Sequence, residues 1–130
     1  MEKVIIQVGA GKFKLPKDVR EEYLALSGRD ELYLELIREY GVTNCLRTDP
    51  LLIDIIESRG GYVSGDVPPG GIITFDPDYM VKTIPDGYRW SVDNHAGTEW
   101  IEYHVKEDYL RNLIQTGTED DIVNYVMKRF

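Results

Sequence analysis

Gly9, Gly11 and Lys12 lie in QVGAGKFKLPKDV, between an apolar run and a stretch with helical spacing. Two glycines and a lysine at such a junction are the materials of a phosphate-binding loop. There, backbone N–H groups and a helix N-terminus face the anion. The spacing does not fit. A P-loop needs GxxxxGK followed by Ser or Thr, whereas here Lys12 is followed by Phe13. A dinucleotide fingerprint needs GxGxxG, and its third glycine is replaced by Lys14. The helix also opens too late, after Leu15. The stretch is therefore read as a strand end and a glycine turn that sends Phe13 and Leu15 into the core.

Arg47-Thr48-Asp49-Pro50 offers different chemistry. An arginine just ahead of a helix N-terminus, with Asp49 as cap, can hold a ligand carboxylate or phosphate. The same residues can instead lock the helix to a sheet through an Arg–Asp or Arg–Glu pair. Both readings stand at this point. Cys45 precedes that helix, and its type and isolation favour a small buried residue over a nucleophile. His95 and His104 fall near Asp93, Glu99 and Glu102, but no closed Cys/His set exists, so no metal and no cofactor are expected.

These groups need elements to position them. Lys3 to Val8 reads as a buried strand. Lys17 to Leu26 and Glu31 to Tyr40 carry helical stripes. Gly41 closes the second helix, and Asp30 stands where its cap belongs. A third helix begins near Pro50, apolar nearly all round, and ends at Gly60-Gly61. Residues 60 to 72 form a Gly/Pro-rich loop. Ile72 to Phe75 and Met80 to Ile84 read as strands.

Tyr88 to Val105 reads as a β-hairpin turning between Ala96 and Gly97. This register sets Val92 against Ile101, Trp90 against Tyr103 and Tyr88 against Val105, one apolar face. The other face carries Arg89, Ser91, Asp93, Trp100, Glu102 and His104. Trp100 there must be covered by a loop or lie at an interface. With Arg89 and His104 it makes a cation–aromatic patch. Glu107 to Gln115 and Glu119 to Phe130 close the chain as helices. The order specifies one α+β domain over residues 1–130, a small antiparallel sheet with several short helices against it.

The chain of 130 residues can bury one core. It carries 15 Lys and Arg against 23 Asp and Glu, a net charge of -8. Binding to the phosphate backbone draws on Lys and Arg, so a chain this acidic is a poor candidate for nucleic acid unless its charge is very unevenly spread. No apolar run approaches the ~20 residues of a membrane span. A lone cysteine and a short apolar N-terminus fit a reducing cytoplasm. Nine tyrosines suit either strands or an interface.

Taken in order, three motifs carry a resemblance. Gly11-Lys12-Phe13-Lys14-Leu15 follows the first strand, in the manner of GGFxLS. Arg47-Thr48-Asp49-Pro50-Leu51-Leu52 leads a helix. Ile84-Pro85-Asp86-Gly87 and Trp90 precede Gly97-Thr98-Glu99-Trp100. Over residues 3 to 104 the chain resembles a family of small proteins of bacteriophages and large DNA viruses. It departs in the Gly/Pro insertion around 62 to 76, in the added C-terminal helices, and in Val105 after His104, where the family tends to carry a basic residue. The resemblance implies a virus-encoded accessory protein acting in the host cytoplasm, and it carries over no catalytic residue.

The expectation is thus a non-enzymatic, homo-oligomeric binding protein that antagonises a host defence factor by sequestering a nucleotide-like signal. Arg47, Asp49, Arg89, Trp100, Tyr103 and His104 are its candidate ligand-binding residues. Net acidity stands against an anionic ligand unless the positive groups converge. Two alternatives are an acidic protein that inhibits a host protein, and a small hydrolase or transferase using Asp93, Glu102 and His104.

Overall fold

The computed structural model describes residues 2–9, 13–66, 76–95 and 98–127. Its strands are β1 (Glu2–Val8), β2 (Tyr62–Val63), β3 (Asp78–Ile84), β4 (Tyr88–His95) and β5 (Thr98–Val105). Its helices are α1 (Lys17–Ser27), α2 (Glu31–Tyr40), α3 (Asn44–Arg47), α4 (Pro50–Glu57), α5 (Glu107–Thr116) and α6 (Glu119–Met127). The chain is α+β, as its pattern specifies. The strands divide between two antiparallel sheets, one ordered β1-β3-β2 and one made of β4 and β5.

Local chemistry sets the helix limits. Asp30 accepts from the Tyr33 N–H at the start of α2, and Gly41 ends it at φ 69°. Asp49 caps α4 through the Leu51 N–H, with Pro50 at the first helical position. α1 has no cap of its own. The carboxylate of Asp66, far along the chain, accepts from the Lys17 N–H at 2.9 Å in its place.

Alternation along β1 divides the interior. Ile5 joins α1, α4, Leu46 and Tyr79 in the first core. Val4 points the other way, into a second core with Ile84, Tyr88 and Tyr125. Against that second core pack the apolar residues of the hairpin and of α5. The hairpin pairs as the pattern requires, Val92 with Ile101 and Trp90 with Tyr103.

The tyrosines serve the interior more than the surface. Tyr23 and Tyr79 are fully buried in the first core. Tyr23 donates to Asp49 at 2.6 Å, and the Tyr79 hydroxyl accepts from the Lys14 N–H at 2.7 Å. Tyr125 fastens α6 to the hairpin base. Its hydroxyl donates to the Gly87 carbonyl and accepts from the Lys106 N–H, and its ring lies 4.6 Å from that of Tyr88.

Two elements escaped the sequence pattern, and four expected segments fall outside what is described. α3 and β2 are too short to show a period. Residues 10–12, the strand expected over 72–75, the hairpin turn at 96–97 and the end of the last helix lie outside the described residues. Phe13 and Leu15 do enter the first core, Leu15 fully and Phe13 in part. Cys45 is a correction: it is exposed, because α3 turns Leu46 and Arg47 inward and leaves Cys45 facing out.

Burial is the main force that raises the ionisation of Tyr23 and Tyr79 well above the ordinary tyrosine range, and for Tyr23 the Asp49 carboxylate adds to it. A raised value means that the folded state holds its proton where the unfolded state has lost it. Stability is therefore complete below about pH 10 and falls as pH rises beyond it. Urea unfolding at pH 8 and at about pH 10.5 should show a marked alkaline loss in the native protein. The loss should be smaller in the double variant Tyr23→Phe, Tyr79→Phe. An unchanged alkaline slope in that variant would show that these two groups are not its source.

Candidate functional site

Arg47 is the last residue of α3, and its side chain is buried. Nη1 donates to Glu99 Oε1 at 2.6 Å and Nη2 to Oε2 at 2.5 Å, a two-pronged pair. Nη1 also donates to the Ile5 carbonyl at 3.1 Å, and Nε to Thr43 Oγ1 at 3.3 Å. Glu99 Oε1 accepts one more bond, from the backbone N–H of Gln7 at 2.6 Å. The two charged side chains are only 6% and 10% exposed. The Phe13 ring centre lies 5.5 Å from the guanidinium carbon.

The geometry follows from the edge of a sheet. β3 pairs with one side of β1, and the Ile5 C=O and Gln7 N–H belong to the side left over. Alternate residues offer such groups to the next strand, and unpaired groups of this kind are costly when buried. No strand pairs there among the described residues. The guanidinium supplies the donor and the carboxylate the acceptor instead.

Above this pair lies an open cleft of about 760 Å³, walled by Phe13, Arg38, Glu39, Thr43 and Asn94. Phe13, Glu35 and Arg38 also line an adjoining hollow of about 310 Å³. Three cations border that hollow: Lys14, Arg20 and Arg38. Leu15, Leu34 and Leu46 give it an apolar wall. Arg20 Nε is buried and stands 3.3 Å from the Glu31 carboxylate, without forming a hydrogen bond to any described residue. Lys14 is paired at 3.4 Å with Asp76. Arg38 is exposed and makes no ion pair among the described residues.

The candidate residues separate into four places. Arg47 lines the larger cleft, but its nitrogens are engaged by Glu99, Ile5 and Thr43. Of the two roles open to it, locking a helix to the strands is the one its contacts fulfil. Asp49 caps α4 and accepts from Tyr23, away from the cleft. Arg89, Trp100 and His104 share the outer face of the hairpin, which neither hollow reaches. There the Trp100 indole N–H donates to Glu102 at 2.6 Å, and Ser91 Oγ lies 2.9 Å from His104 Nε2. Tyr103 points to the opposite face and meets Tyr88 edge-on at 6.1 Å. Among the described residues no cluster of three or more His, Cys, Asp or Glu is placed to hold a metal ion.

As site residues, sequence reasoning missed Lys14, Arg20 and Arg38; it assigned Phe13 to the core and named Glu99 only beside His95 and His104. Glu99 did leave a signal. In the hairpin register it falls on the face of Ile101, Tyr103 and Val105, where a carboxylate needs a buried partner. Arg20 and Arg38 left none, because they sit on separate helices among ordinary surface charges. Comparison with protein-family models, curated proteins and solved structures finds no match to this chain.

Removing one partner of a buried ion pair leaves the other charge uncompensated, at a cost of about 3–5 kcal/mol. Arg47→Met and Glu99→Leu should each destabilise the fold by about that much. The double variant should lose far less than the sum, since no charge is then stranded. It should remain destabilised by about 1–3 kcal/mol for each β1 backbone group left without a partner. Chemical denaturation of the four proteins gives the cycle, and additive losses would mean the pair is not coupled.

Proposed function

We propose that this chain is a non-enzymatic accessory binding protein that retains a nucleotide-like anion in the groove around Phe13. The observation that carries the reading is convergence. In a chain of net charge -8, Lys14, Arg20 and Arg38 gather round one aromatic ring and one apolar wall, three cations against the two carboxylates of Glu31 and Glu35. An anionic group fits the smaller hollow, where guanidinium groups offer forked donors. A planar base fits against Phe13, and the larger cleft takes the remainder of the molecule. Beneath it, the Arg47–Glu99 pair is satisfied internally, which suits a rigid floor rather than a reacting group. In the viral setting that the motif resemblance implies, such retention would remove a defence signal from the host cytoplasm.

A second reading draws on the outer face of α2. Leu32, Leu36 and Tyr40 lie in line at helical spacing and are 60%, 43% and 72% exposed. Glu35 and Glu39 run along one side of that stripe. An apolar line edged with carboxylates suits a basic amphipathic segment of a host protein.

Calorimetric titration with an adenine mononucleotide, ADP-ribose and a cyclic dinucleotide separates the readings. At least one should bind stoichiometrically and be recovered unaltered on denaturation. Arg38→Ala should weaken it by about tenfold or more, the loss of a charged hydrogen bond. Arg38 is exposed, so this change leaves the fold intact. Conversion of the nucleotide, or binding indifferent to Arg38→Ala and Phe13→Ala, would overturn the proposal. Binding of a basic amphipathic helix alone, lost in Leu36→Asp, would support the second reading in its place.

A further inference from the structure

The two-stranded sheet has an open side. β4 pairs with β5 along one edge and with no strand along the other among the described residues. No backbone group of residues 89–93 bonds outside the hairpin among the described residues. Trp90 and Val92, on the inward face of this edge strand, are only half-buried. An unpaired edge of this kind is a template for another strand, and natural proteins guard such edges, often with charge. The charges of β4 are of both signs, so they select a partner rather than repel one.

We propose that β4 pairs antiparallel with β4 of a second copy of this chain, about a two-fold axis through Ser91. Few registers are admissible. One that set an even-numbered residue against an odd-numbered one would oppose the inward face of one copy to the outward face of the other. Among the rest, centring on Trp90 places Arg89 against Ser91 of the second copy. Centring on Val92 places Arg89 against His95. Centring on Ser91 places Arg89 opposite Asp93 and Asp93 opposite Arg89, two ion pairs related by symmetry. It also sets Trp90 against Val92 twice on the inward face, an aromatic and β-branched pair of the sort sheets favour. Such an interface is self-complementary, as a two-fold contact must be.

The result is a four-stranded sheet ordered β5-β4-β4-β5 across the two copies. Its outer face carries a continuous row, Trp100, Asp93, Arg89 and His104, built from both chains. The exposed Arg89, Trp100 and His104 then belong to an assembly surface rather than to an isolated hairpin. This inference is independent of the groove around Phe13.

Charge exchange tests it. Sedimentation velocity should find the native protein dimeric, and Arg89→Asp and Asp93→Arg each monomeric at matched concentration. Mixing the two variants should restore a dimer, because aspartates at 89 and 93 in one chain then meet arginines at 93 and 89 in the other. The double variant carrying both exchanges should dimerise by itself. A monomeric native protein would overturn the proposal, as would single variants that stay dimeric or a mixture that stays monomeric. Should a single variant fail to fold, by circular dichroism, the double variant decides: dimeric upholds the register, monomeric overturns it.

Discussion

A buried strand edge with no ladder partner among the described residues is the constraint around which this molecule is built. β1 runs between two apolar cores, Val4 serving one and Ile5 the other. β3 satisfies one side of it, and the far side still presents a carbonyl at Ile5 and an N–H at Gln7. The Arg47–Glu99 pair meets both groups and meets itself, so two buried charges and two buried backbone groups are satisfied together. A buried ion pair is usually a weak source of stability, because desolvation opposes the attraction. Here its value lies in what it connects. Arg47 comes from α3, Glu99 from the tip of the hairpin, and the backbone groups from the first strand.

That connection also fixes the groove. The cleft of about 760 Å³ has the ion pair and β1 beneath it, and α2 with Phe13 along its side. Because the pair is held by four kinds of contact, the floor has little freedom to respond to a ligand. The more exposed groups at its rim, Arg38, Glu35 and Glu39, stand on a helix capped at both ends. On the proposed reading, a rigid base with adaptable charged walls suits binding, since preorganisation lowers the entropy lost on association.

Much of this was legible in the sequence, and the illegible part has physical causes. Helical stripes and caps placed α1, α2 and α4 well, because Asp30, Gly41, Asp49 and Pro50 act through bonds only a few residues long. The hairpin register was readable because a shift of one residue would have turned Trp90, Val92 and Ile101 to solvent. α3, with four residues, and β2, with two, have no period to read. Arg47 was visible as a candidate, yet its partner lies 52 residues away, and only its inward parity marks Glu99. The meeting of Lys14, Arg20 and Arg38 at one hollow depends on where tertiary packing sets α1 and α2, which no local pattern encodes. The replacement of an α1 cap by Asp66, 49 residues on from Lys17, is of the same kind.

The central claim is that an ion pair stands in for a strand at the open side of β1. Amide hydrogen exchange at Gln7 reads this directly, because its N–H donates to Glu99 rather than to a ladder. In the native protein the Gln7 amide should exchange as slowly as the β1 amides bonded to β3. In Glu99→Gln its protection should drop while theirs persists, since a neutral amide cannot both accept from Gln7 and balance Arg47. Fast exchange at Gln7 in the native protein, or protection unchanged by the substitution, would contradict the account.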